Sequence, residues 1–190
     1  AAVTADDGCV SGGETWIDNT MDEATAQNTF ANMIDVDRTF SNTLYNTERG
    51  FQLIENALSP DNLVGCNADL LRDSAHLNII HVSDESEQSI STAAEYLSQL
   101  EAVKNRPEAV TVHAVAPDYP NGCPGNWYAP GGYYDAAFAT DGLFLSICTS
   151  DWGEYLTELA ENTVISQKSH RLSLTPIPET IKVDVDGVAL

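Results

Sequence analysis

Three short apolar runs, each followed by a stretch with helical spacing, set the strongest limit on the fold. "HLNIIHV" precedes "SISTAAEYLSQLEAVKN", "AVTVHAVAP" precedes "YYDAAFATDG", and "LFLSIC" precedes "TSDWGEYLTELAENTV". Strands joined through helices cannot be hairpin neighbours, so they lie parallel, connected by right-handed crossovers. In the first run Leu77, Ile79, Ile80 and Val82 are nearly continuous, which predicts a strand covered on both faces, central in its sheet. The expected fold class is therefore α/β, a mostly parallel central sheet flanked by helices.

The elements outside this triplet are consistent with it. "AAVTA" reads as an earlier strand, ended by the turn signal Asp6-Asp7-Gly8. "TMDEATAQNTFANMI" has Thr20 and Glu23 at capping-box spacing and predicts a helix, and "TERGFQLIENAL" predicts a second, with Phe51, Ile54, Ala57 and Leu58 on one face and Ser59-Pro60 as its stop. In the helix after "HLNIIHV", the apolar stripe falls on Ile90, Ala93, Ala94, Leu97, Leu100 and Val103. The tail changes character. "HRLSLTPIP" and "TIKVDVDGVAL" alternate apolar with polar residues, and Asp186-Gly187 is a hairpin turn close to the last residue. Residues 1–165 are thus expected to form the α/β domain and 166–190 the start of a β-rich extension, cut from a larger protein.

Charge and cysteines narrow the function classes. Eight Lys and Arg stand against 29 Asp and Glu, a formal net charge of −21. Such a surface repels phosphate backbones and anionic lipid, which disfavours nucleic acid and membrane surfaces as partners, and it suits a salty or extracellular medium. No apolar window is long enough to span a bilayer. Cys9, Cys66, Cys123 and Cys148 include no C-x-x-C pair, so disulfides in an oxidising compartment are expected over a zinc or redox site. Of the three connectivities, Cys9–Cys66 with Cys123–Cys148 is preferred, because each pair would tie a loop to a neighbouring loop. The protein is expected to be extracellular or at the cell surface.

The chemistry-bearing stretch is "LNIIHVSDESEQS", in which a strand runs into Asp84, Glu85 and Glu87 separated by hydroxyls. Asp6 and Asp7, at the end of another strand, are further candidates for the same sheet edge. "IIHVSDES", "TERGFQLIENAL" and "DGLFLSICTSDWGEYLTELA" together resemble secreted bacterial von Willebrand factor A-like domains over about residues 1–165. A strand ending in a Ser-Asp pair and a Gly-x-x-x-Ser-Ile-Cys strand leading into an Asp-Trp helix, here Gly142, Ser146, Ile147, Cys148, Asp151 and Trp152, carry the resemblance. It implies a metal-ion-dependent adhesion site for Mg²⁺ or Ca²⁺ at the carboxyl ends of the strands, with hard oxygen ligands and a carboxylate from the partner. Asp84 matches the third-loop ligand, Thr47 or Thr43 stands for the family's Thr, and Asp6 lies at the end of the strand matching the family's second.

The same resemblance implies a central strand between "AAVTA" and "LNIIHV" whose Asp-x-Ser-x-Ser loop does not occur in the sequence. An upstream segment, a second chain or a neighbouring molecule is expected to supply it. Trp127, Tyr128, Tyr133 and Tyr134 flank a Gly/Pro loop and are expected to form an exposed surface for a protein or glycan ligand. Neither a Gly-x-Ser-x-Gly elbow nor a phosphate loop occurs, so the expected role is adhesion or assembly, not catalysis. The competing expectation is a metal-free structural subunit of an extracellular filament or surface layer.

Overall fold

The computed structural model describes residues 8–9, 16–34, 48–125, 131–150, 152–168, 182, 184–185 and 188–189. The expected strand at 1–5, the loop at 35–46 and the expected strand at 170–178 lie outside them. Among the described residues six α-helices and five strands follow in chain order: α1 (Glu23–Ile34), α2 (Gly50–Ala57), α3 (Pro60–Val64), β1 (Leu77–Val82), α4 (Ala93–Lys104), β2 (Val110–Ala116), α5 (Tyr133–Ala139), β3 (Phe144–Ser146), α6 (Trp152–Lys168), β4 (Asp184–Val185) and β5 (Val188–Ala189). The three strands of the opening triplet form one parallel sheet in the order β1-β2-β3, so the α/β class holds. In the tail, β4 and β5 make a two-residue antiparallel pair flanking Asp186-Gly187.

β2 is the buried strand, with all seven residues inside. Its odd and even positions feed two layers. Val110, Val112, Ala114 and Ala116 join Ile79 of β1 against Phe51 and Leu58 of α2 and its C-terminal boundary, Tyr96 and Leu100 of α4, and Tyr133 and Ala136 of α5. Val115 points the other way and meets Leu145 of β3 and Leu159 of α6. Helices therefore cover both sides, as a strand buried at every position requires.

The neighbour expected on the other side of β1 lies outside the described residues. Among the described residues β1 pairs only with β2, and its outward face stays open: Ile80 is 47% and Val82 59% exposed, while Ile79 and His81 are buried. Its near-continuous apolar run is thus one buried face and one uncovered face. On the other edge, β3 is only three residues long, and the chain before it completes the edge of β2. The Val112 N–H donates to Thr140 Oγ1 (2.9 Å), the Leu143 N–H to His113 Nδ1 (3.0 Å) and the Ala114 N–H to the Leu143 carbonyl (2.9 Å). Gly142 is required there, since a Cβ would collide with the Val112 carbonyl.

Several helix details differ from the sequence pattern. α1 is capped by Asp22, whose carboxylate accepts from the Thr25 N–H (3.0 Å); Thr20 is turned back onto Asp18 instead. Ser59 both ends α2 and caps α3, taking the Asn62 N–H, so the stop signal is also a start. In α4 the buried positions are Tyr96, Leu100 and Lys104, while Ile90 is 94% exposed. The Lys104 ammonium is spent internally, donating to the carbonyls of Arg72 (2.7 Å) and Asp73 (3.1 Å) and so holding the turn before β1.

Both expected disulfides form. Cys9–Cys66 and Cys123–Cys148 close loops of 57 and 25 residues in sequence separation. Among the described residues no helix is long and apolar enough to cross a membrane.

Candidate functional site at the carboxyl end of β1

The strand leads directly into the acidic corner. Ser83 extends the ladder through its N–H to the Val115 carbonyl (3.1 Å) and is itself buried. Its hydroxyl lies 3.2 Å from both Glu48 Oε2 and the Glu85 carbonyl, and it accepts from the Glu85 N–H (3.1 Å). The Glu48 carbonyl in turn accepts from the Gln88 N–H (2.7 Å). The corner is therefore folded back against the segment that enters α2.

Glu87 has a different job from its neighbours. The first N–H groups of a helix have no partner within it, and Arg49 at the cap of α2 supplies no side-chain bond. Glu87 Oε1 accepts from the Phe51 N–H (3.1 Å), and Ser89 Oγ accepts from the Gln52 N–H (2.9 Å). Glu87 also takes the Ser89 hydroxyl (2.5 Å) and the Ser89 N–H (2.9 Å). A carboxylate 36 residues downstream thus caps α2 and places its negative charge on the positive end of the helix. The following helix, α4, has its own capping box, Thr92 with Glu95.

Beneath the corner lies an aromatic box. Phe51 stacks on Tyr96 (4.2 Å, 8°) and meets His81 and Tyr133 edge-on at 5.6 and 5.7 Å. His81 Nε2 shares a hydrogen bond with the Tyr96 hydroxyl (3.1 Å). Burial holds the His81 imidazole neutral, lowering its pKa to about 4. Burial likewise raises the Tyr133 hydroxyl, helped by the charges of Glu87 and Glu48. Gly50 makes room for the box: a Cβ there would sit 2.6 Å from the Tyr133 hydroxyl and 2.9 Å from His81 Nδ1.

The electrostatics of the corner separate its four carboxylates. Burial raises the Glu48 carboxyl above its ordinary value; the Ser83 bond opposes this, and the charges of Asp84 and Glu85 add to it. Glu85 accepts from Gln88 Nε2 (3.0 Å), and Glu87 is committed to α2. Asp84 is exposed, and its carboxylate makes no hydrogen bond among the described residues.

Of the sequence-predicted site residues, Asp84 is the one at this crest. Asp6, Asp7, Thr43 and Thr47 lie outside the described residues, as do Trp127 and Tyr128. Among the described residues no three His, Cys, Asp or Glu side chains converge as a cation site, so those present do not by themselves fit a Mg²⁺ or Ca²⁺ ion. Tyr133, expected on the exposed rim, is 1% exposed and belongs to the aromatic box. Its neighbour Tyr134, expected there with it, is partly exposed. One residue along a helix turns a side chain by about 100°, so the core claims the first tyrosine and leaves the second half-buried.

Comparison with protein-family models, curated proteins and solved structures found no match.

The functional reading therefore depends on this chain's own residues. Sequence patterns do not single out Glu48 and Ser89, which complete the corner, since their partners are 35 and 37 residues away. The Ser-Asp pair after a strand was the nearest signal, and it marks the place without revealing the bonds.

Proposed function

We propose that this protein is an extracellular adhesion or assembly module that binds a protein or glycan partner at the carboxyl end of its sheet. The observation that carries this reading is Asp84. It is the one carboxylate of the corner left exposed and unbonded among the described residues, at the end of a parallel strand, where open α/β sheets place their ligands. Two disulfides suit an oxidising compartment, and the charge of −21 disfavours nucleic acid. The resemblance to von Willebrand factor A-like domains belongs to the same proposal. In it, Asp84 gives one oxygen to a Mg²⁺ or Ca²⁺ ion whose other ligands come from outside the described residues, Thr47 and Asp6 among the candidates.

A second reading, a metal-free structural subunit of a filament or surface layer, draws on a different observation. β1 carries exposed Ile80 and Val82 and no second strand neighbour among the described residues. An apolar edge of this kind recruits a further strand, which here would come from outside the described residues, whether an upstream segment, a second chain or a neighbouring molecule.

Isothermal titration with Ca²⁺ and Mg²⁺ separates the two. Binding heat from the wild type that is absent from Asp84→Ala supports metal-dependent adhesion. No heat from either protein rejects the metal and leaves the scaffold reading. Equal heat from both removes Asp84 from the site.

A further inference from the structure

On the side of the molecule where β2 runs out, three aromatic rings lie in a row. Tyr119, just after the strand, stacks on Tyr134 of α5 (3.9 Å, 6°), and Tyr134 is nearly parallel to Phe138 one turn on (5.9 Å, 13°). Phe144 of β3 props Tyr134 at right angles from below (5.2 Å, 79°). The outer members are open to solvent: Tyr119 is 52% and Phe138 72% exposed. Packing onto the core explains Tyr134, but it does not explain two large rings held parallel to it and left largely exposed.

The ladder adjoins a cavity of about 540 Å³ lined by Asp118, Tyr119, Asn121 and Pro124, among others. Its loop is pinned at both ends, by the Ile147 N–H to the Ala116 carbonyl (2.9 Å) and by the Cys123–Cys148 disulfide. The Gly122 N–H closes a turn on the Asp118 carbonyl (2.6 Å), and Asp118, exposed, lines the same cavity as Tyr119. Exposed rings that share a cavity with a carboxylate, on a chain of net charge −21, select for a cation with a flat, weakly hydrated face. A guanidinium meets that description: it stacks on aromatic rings and offers a planar fork of N–H donors to a carboxylate. An ammonium is compact and strongly hydrated and gains less from the rings. Anionic ligands are repelled, and a neutral sugar draws nothing from the charge.

We propose that the Tyr119–Tyr134–Phe138 ladder and Asp118 form a docking surface for an arginine-bearing segment of a protein partner. The inference rests on the reading of this protein as a partner-binding module and names the partner's chemistry, on residues other than Asp84.

The test is fluorescence anisotropy with the full chain and two labelled hexapeptides, one of six arginines and one of six lysines, at a fixed 0.15 M salt. Tyr119→Ser/Phe138→Ser removes two exposed rings and no charge, Asp118→Asn removes the carboxylate, and Val64→Ser, at a distant position 84% exposed, is the control. The wild type and control should bind the arginine peptide at least tenfold tighter than the lysine peptide. The double variant should lose about tenfold for arginine and little for lysine, and Asp118→Asn should lose several-fold for arginine. Circular dichroism checks the fold, and the single Phe138→Ser variant serves if the double variant does not fold. Equal binding of both peptides, or arginine binding untouched by ring removal, would mean attraction by net charge alone and would overturn the proposal. Displacement of neither peptide but saturable binding of a neutral glucose hexasaccharide at the same rings would overturn it in favour of a glycan. Calcium titration of the double variant reports on Asp84 independently, so failure here and failure of the broader reading are distinguishable.

Discussion

Glu87→Ala tests the most specific structural claim, that a carboxylate after β1 caps a helix 36 residues earlier. The side chain accepts two backbone N–H groups, from Phe51 and Ser89, and the Ser89 hydroxyl. Truncation strands both N–H groups in a half-buried place. A fully buried unsatisfied donor costs about 1–3 kcal/mol, and water recovers part of that here. Loss of the carboxylate at the helix start adds about 0.3–1 kcal/mol. The expected cost is therefore about 2 kcal/mol, a large fraction of an ordinary stability of about 5–15 kcal/mol. Glu87→Gln keeps an acceptor oxygen and loses the charge, so about 1 kcal/mol is expected. Ser89→Ala removes the acceptor for the Gln52 N–H and should cost about 1 kcal/mol. Because Ser89 and Glu87 bond each other, the double variant should cost less than the sum of the singles. Urea unfolding followed by far-UV circular dichroism at pH 7 measures all four, provided the slopes agree. A loss below about 0.5 kcal/mol for Glu87→Ala, the range of an ordinary surface substitution, would refute the cap and return Glu87 to the solvated acidic surface.

The pH dependence of stability should carry the mark of His81. The folded imidazole titrates near 4 and the ordinary value is 6.5, so the unfolded chain takes up a proton between those values that the folded chain refuses. Stability should then fall as pH drops from about 6.5 to 4, by roughly 3 kcal/mol from this group; the urea midpoint of His81→Gln should fall less over the same interval, and parallel curves would count against it. Loop-closure entropy gives about 4 kcal/mol for the Cys9–Cys66 bridge and about 3.5 kcal/mol for Cys123–Cys148, so paired Ser substitutions should lower the melting temperature more for the first bridge, read by calorimetry. Val82→Lys places a charge on the open face of β1 without filling a core position; it should reduce light scattering on concentration while leaving the circular dichroism spectrum unchanged, and scattering equal to wild type would show that this face does not associate.

How far the sequence leads can be judged at particular residues. The order of three strand-and-helix units follows from local patterns, apolar run length and helical spacing, whereas the fold decides which of the three cysteine connectivities forms. Caps were harder. Thr20 and Asp22 both stand before α1, and only the backbone path decides that Asp22 takes the Thr25 N–H. Tyr96 was not part of the predicted α4 stripe, yet it is fully buried because Phe51 stacks on it from α2, a contact between residues 45 positions apart that no periodicity encodes.

The chain by itself determines that it builds a parallel α/β sheet, is strongly acidic and forms two bridges, because these depend on composition and on short-range spacing. Tertiary structure alone decides what its acidic corner does. Glu85 and Glu87 are neighbours of Asp84 with the same chemistry, but the approach of α2 gives Glu87 two helix N–H groups to satisfy with Ser89, Gln88 folds over Glu85, and Asp84 is left facing water. The same holds for Tyr133 and Tyr134, of which one lies in the core and the other between two exposed rings. Equivalent side chains diverge in function because the folded backbone brings different partners to each.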